Sequence, residues 1–166
     1  MFSATRRMFT SRIAYLFAGV GAASLVGAPA QASSKEKGLR KLNYDGKPAD
    51  STALFTPLIV HNGVIYISGQ GAHSREPEGN IAADIETHTT KVLDNVKTLV
   101  EAGGGTMESI LQLNVFLASI DSYAGMNKVY KTYFPNGGPA RTTVAVAALP
   151  GQSLVEINCI AAVVRK

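Results

Sequence analysis

The sequence predicts an α+β fold, a ββαβαββ sheet with two helices on one face. Three observations carry that prediction. Residues 58–67 hold two β-branched runs on either side of Asn62-Gly63, a dipeptide that accepts the positive φ angles of a tight hairpin turn. Residues 84–102 place Ile85, Val92, Val96, Leu99 and Val100 at helical spacing, and Gly103-Gly104-Gly105 follows as a stop. Strand-like and helix-like segments then alternate, separated by turn residues, with no repeat or low-complexity linker.

In chain order, residues 33–57 read as a leader, a short strand over 40–44 and a polar loop. The hairpin ends in Ser68-Gly69-Gln70-Gly71, where two glycines let the backbone turn sharply. Residues 71–82, with Pro77 and Gly79, read as a loop. Residues 109–118 read as a strand with Leu111, Leu113, Val115 and Leu117 on one face and Ile110, Gln112, Asn114 and Phe116 on the other. Asp121 is placed to cap a second helix running to Phe134, which Pro135-Asn136-Gly137-Gly138-Pro139 ends. Residues 141–148 and 154–164 follow as strands. Their scarcity of charge on either face favours a homo-oligomer in which uncovered sheet faces meet.

Residues 1–32 are set apart. Arg6-Arg7 precedes the uncharged run 13–26, and Ala28-Pro29-Ala30-Gln31-Ala32 supplies a small-residue cleavage pattern. This is the pattern of an export signal, read as the twin-arginine kind with a general secretory signal, which can also carry two arginines, as the alternative; cleavage is expected after Ala32 and the location is periplasmic. Removal leaves 134 residues, one domain with its own core. Three of the 16 basic residues go with the signal and no acid does. The remaining 13 bases against 12 acids give a net of +1, too balanced for a nucleic-acid surface. Cys159 is the single cysteine, inside an apolar run, and reads as a buried inert thiol. His61, His73 and His88 lack metal-ligand spacing and read as surface or loop residues. No metal site or cofactor is expected.

Two charges stand inside strands. Arg141 opens the run Ala140-Arg141-Thr142-Thr143-Val144, and its planar fork suits a carboxylate held by two parallel hydrogen bonds. Glu156 is flanked by Leu154, Val155 and Ile157, a setting that suits proton transfer. The alternatives are a solvent-directed arginine and an Arg141–Glu156 ion pair. In a simple hairpin with Ala147 opposite Leu154, the two lie roughly 13 Å apart along the strands, so a site between subunits is one way to join them. Gly69, Asn127 and Thr143 are weaker candidates, Thr143 because it shares Arg141's strand face.

Together these residues resemble the reactive intermediate deaminase family, also called Rid or YjgF. The landmarks are Ile67-Ser68-Gly69-Gln70, Leu93-Asp94-Asn95-Val96, Ala102-Gly103-Gly104, Val115-Phe116-Leu117 and Met126-Asn127-Lys128-Val129-Tyr130. They continue with Phe134-Pro135, Pro139-Ala140-Arg141-Thr142-Thr143-Val144 and Leu154-Val155-Glu156-Ile157. The resemblance implies a homotrimer of chorismate-mutase-like subunits with clefts between them. It implies hydrolysis of 2-enamine and 2-imine acids to 2-keto acids and ammonia, without metal or cofactor. In that pattern Arg141 grips the substrate carboxylate and Glu156 positions and activates water. Gly69 and Thr143 offer backbone contacts, and Asn127 and Phe55 count among the substrate-binding residues. Phe55 stands where many active members have tyrosine, and Thr143 where cysteine is usual. The second reading is a non-catalytic protein that binds a small carboxylate. A third reading, the ribonuclease activity reported for the broader family, is disfavoured by the near-neutral charge and the lack of a basic groove. No nucleic acid, nor any membrane after signal removal, is expected as a partner.

Overall fold

The computed structural model describes residues 38–72 and 84–164, which belong to the compact unit Ser33–Lys166. The expected signal segment, most of the leader, His73 and most of the 71–82 loop lie outside the described residues. The elements are β1 (Arg40–Leu42), β2 (Leu58–His61), β3 (Val64–Gly71), α1 (Ile85–Gly103), β4 (Ile110–Leu117), α2 (Tyr123–Tyr133), β5 (Ala140–Ala145) and β6 (Val155–Ala162). They form one six-stranded sheet in the order β1-β2-β3-β6-β4-β5, so the expected α+β fold is present with a short additional first strand.

The β2–β3 hairpin turns through Asn62 and Gly63 at φ 50° and 77°, as the dipeptide requires. Asp84 caps α1: its carboxylate accepts from the Thr87 amide at 2.8 Å and from the Thr87 hydroxyl. Gly104, at φ 92°, ends the helix. The face between carries Val92, Leu93, Val96, Leu99 and Val100, all fully buried against the sheet. Burial of each contributes roughly 1.5–3 kcal/mol. Helix α2 packs on α1, and Met126 and Tyr130 join the same core.

Four expectations are corrected. Strands β5 and β6 do not form a hairpin. Strand β5 pairs in parallel with β4, and β6 lies antiparallel between β3 and β4. After β5 the chain passes the end of β4, where Val146 donates to Leu117 O at 2.9 Å and Ala118 to Leu154 O at 3.0 Å. It then fills the central slot, which a strand with few charges suits. Second, a register shift between Ile110 and Gln112 buries Ile110 and leaves Leu111 55% exposed, reversing their expected faces. Third, Asp121 lies inside a 3₁₀ turn, Ile120–Ser122, capped by Ser119, and α2 starts only at Tyr123. Fourth, His88 is buried, one turn into α1 on its inner face. Its Nδ1 accepts from the Leu154 amide at 3.1 Å, which places the ring proton on Nε2.

The other sheet face has no helix over it among the described residues. Tyr66 and Val144 stand 45% and 42% exposed there, beside half-buried Phe116 and Ile160. In their midst Asn114 donates to Asn158 at 2.8 Å across β4 and β6. Cys159 faces the core, and burial pushes its thiol up to about 12, so it is inert as expected.

Candidate active site

Residues level in register share a face of the sheet. Arg141 is level with Leu113, whose side chain is in the core under the helices. Glu156 is level with Phe116, three residues on and therefore on the open face. The two candidate charges thus stand on opposite faces of one sheet, with β4 between their strands, and form no ion pair.

At the β5 edge, α2 cradles the guanidinium. Nη1 donates to Asn127 Oδ1 at 2.8 Å and Nη2 to the Tyr123 hydroxyl oxygen at 3.4 Å. The fork lies over the Tyr130 ring, 4.4 Å from its centre, and 5.9 Å from that of Tyr123. Tyr130 in turn meets the Phe134 ring at 4.6 Å. Burial pushes the Tyr130 phenol up, an effect that the Arg141 charge opposes. A guanidinium has five N–H donors, so three remain for a ligand. A groove of about 380 Å³, whose lining includes Asn127, Tyr130, Lys131, Phe134, Pro139 and Arg141, opens beside it. Thr143 follows on the same face, level with Val115, and its enclosed hydroxyl oxygen has no partner among the described residues.

The second half lies at β3 and β6. A register shift between Ile67 and Gln70 bulges β3 at Ser68 and Gly69. Buried Gln70 holds the bulge by donating to Ser68 O at 3.0 Å and Gly69 O at 3.1 Å, and it accepts from the Tyr44 hydroxyl at 2.7 Å. Gly69 leaves room there for the Glu156 side chain. A Cβ would fall on the Glu156 carboxylate, 2.9 Å from Cδ. That carboxylate has no hydrogen-bond or ion-pair partner among the described residues and is half-buried. Phe55 is 62% exposed, two residues before Pro57, whose carbonyl accepts from Ser68 at 3.0 Å. It belongs to the chain segment that leads into this half.

The structure therefore brings Arg141 together with Asn127, and Glu156 together with Gly69. It does not join the two pairs within one chain. Sequence reasoning missed Tyr123 and Tyr130. The signal was present, because 123, 127 and 130 follow the i, i+4, i+7 spacing of one helix face.

The endoribonuclease L-PSP family pattern matches residues 47–163. The chain belongs to this family, which includes the Rid/YjgF and RutC proteins. Protein mmf2, mitochondrial, of Schizosaccharomyces pombe is 36% identical over 112 residues, covering 65% of this chain and 86% of that one. The solved structure of YyfA from Yersinia pestis, described as a protein of unknown function of the conserved Rid family, superposes with a TM-score of 0.64 at 32% identity. That match covers 75% of this chain and 98% of YyfA. The YjgF gene product of E. coli superposes with a TM-score of 0.64 at 29% identity, covering 74% and 97% of the two chains.

Proposed function

We propose that this protein hydrolyses 2-enamine and 2-imine acids to 2-keto acids and ammonia, in clefts between the subunits of a homotrimer. The observation that carries this reading is the division of the site. One face offers a braced carboxylate receptor, the other an unpartnered carboxylate, three levels apart along β4. Each is half of a site that a neighbouring subunit completes. The apolar open sheet face supports such packing.

In this mechanism Arg141 receives the substrate carboxylate on two of its free N–H groups. An enamine first tautomerises to the imine. Water attacks C2, the C=N π electrons move to nitrogen, and Glu156 accepts the proton that water loses. Glu156 then returns a proton to nitrogen. Glu156 next takes the hydroxyl proton of the resulting carbinolamine and passes it to the amino group, so that the C–N bond breaks with departure of NH₃ as the C2 carbonyl forms. One water is consumed for each ammonia released, and Glu156 ends as it began.

One observation favours the second reading, a binding protein without turnover. Phe55 has no hydroxyl and stands exposed in the segment that leads into the Glu156 half. A single experiment separates the two. Imine is generated with an amino-acid oxidase and its decay followed by semicarbazide trapping. Acceleration by wild type that Arg141→Ala and Glu156→Gln each reduce at least about 100-fold is the expected result. Binding of a 2-keto acid without acceleration would establish the binding protein instead. The arginine pair and cleavage pattern within residues 1–32 support export to the periplasm. Fractionation of cells expressing the full chain, with and without Arg6→Lys/Arg7→Lys, tests that proposal.

A further inference from the structure

Tyr123 is the first residue of α2, six positions beyond the end of β4. Its hydroxyl oxygen accepts from Arg141 Nη2, and its own proton has no acceptor among the described residues. The residue remains 43% exposed, at the rim of the cradle, so a ligand on the guanidinium can reach it. Tyr130, the other phenol of the cradle, differs. Its hydroxyl is enclosed, and a Cβ on Gly138 would sit 2.8 Å from it.

We propose that the Tyr123 hydroxyl is a substrate-binding group, donating its proton to the carboxylate that Arg141 receives. The proposal rests on the reading of Arg141 as the carboxylate receptor and adds a second donor of different chemistry. A carboxylate has about four lone-pair sites, and a bidentate arginine occupies two. A phenol beside the fork reaches a third. The pair selects for a carboxylate because a carboxamide replaces one acceptor oxygen with a donor NH₂, which repels one of the two groups. The ligand class is a small 2-keto or 2-imino acid in its anionic form.

The test is titration of pyruvate and of pyruvamide into the purified protein, followed by broadening of the ligand methyl signal in NMR. Wild type, Tyr123→Phe and Arg141→Ala are compared. Phenylalanine keeps the ring near the guanidinium and removes only the hydroxyl, so the melting temperature is expected to stay unchanged. Tyr123→Phe is expected to weaken pyruvate binding about tenfold, with a smaller effect on pyruvamide. In the imine assay the loss is expected in KM, with kcat within about twofold, because the contact is equal in ground and transition states. Equal pyruvate affinity in wild type and Tyr123→Phe, with binding lost in Arg141→Ala, would overturn the proposal alone. Absence of pyruvate binding by wild type would overturn the carboxylate-receptor reading beneath it.

Discussion

At the scale of residues, the site depends on two close approaches that polarity alone does not reveal. Glu156 reaches over β3 because position 69 carries no side chain. In Gly69→Ala the new methyl group displaces the carboxylate, which is the free end of a flexible side chain. The expected outcome is a melting temperature near wild type with kcat reduced about 100-fold, since a displaced proton acceptor loses its alignment. Parallel thermal denaturation and imine-decay kinetics check both halves of that statement. Asn127 works differently. It accepts from Arg141 Nη1 at 2.8 Å and so limits how the fork can swing. Asn127→Ala is expected to lower kcat/KM about tenfold, and Asn127→Asp to lose less, because its oxygen still accepts. A family resemblance pointed to both residues, but the physical reason for each came from a neighbour remote in sequence.

At the scale of elements, the helices were legible because their determinants are local. The 3.6-residue stripe, the cap at Asp84 and the stop at Gly104 all lie within about twenty residues of one another. The Asp84 cap also has a pH signature. Hydrogen bonds from the Thr87 hydroxyl and amide hold its carboxyl below the ordinary value of 3.8. A depressed folded value means that the stabilisation is complete above the unfolded value and is lost as pH falls through the folded one. Wild type is therefore expected to exceed Asp84→Ala in melting temperature at pH 7, with the margin shrinking below about pH 4. Asp84→Asn keeps an acceptor oxygen and is expected to retain a margin that does not vary with acid. Thermal melts of the three proteins between pH 2.5 and 7 measure this directly. The start of α2 was misread because Ser119, Asp121 and Ser122 are all competent capping types. Which one caps depends on how the chain leaves β4.

At the scale of the whole molecule, the division of Arg141 and Glu156 between two faces has a measurable consequence. If each cleft takes its arginine from one subunit and its glutamate from the next, two inactive variants complement each other. Arg141→Ala and Glu156→Gln, unfolded and refolded together in equal amounts, are expected to recover about a quarter of wild-type activity. Each interface has that chance of drawing an intact arginine from one variant and an intact glutamate from the other. The separate variants refolded alone serve as controls, and size-exclusion with light scattering reports the oligomeric state. Recovery no greater than the controls would place both residues in one subunit's own site.

The amino-acid sequence by itself determined the elements, the hairpin turn and the pair of charged residues on which the proposed chemistry rests. Each depends on periodicity, turn stereochemistry or the cost of placing a charge in a strand, and these act over short stretches of chain. Only the tertiary structure decided that β6 enters between β3 and β4. That choice depends on burial between segments about forty or more residues apart, which no local pattern encodes. It moved Glu156 from the expected neighbour of β5 to the far side of β4 and placed it on the face opposite Arg141. Strand parity then did the rest. Because side chains alternate between faces, a separation of three levels along β4 is enough to put the two charges on opposite sides of the sheet.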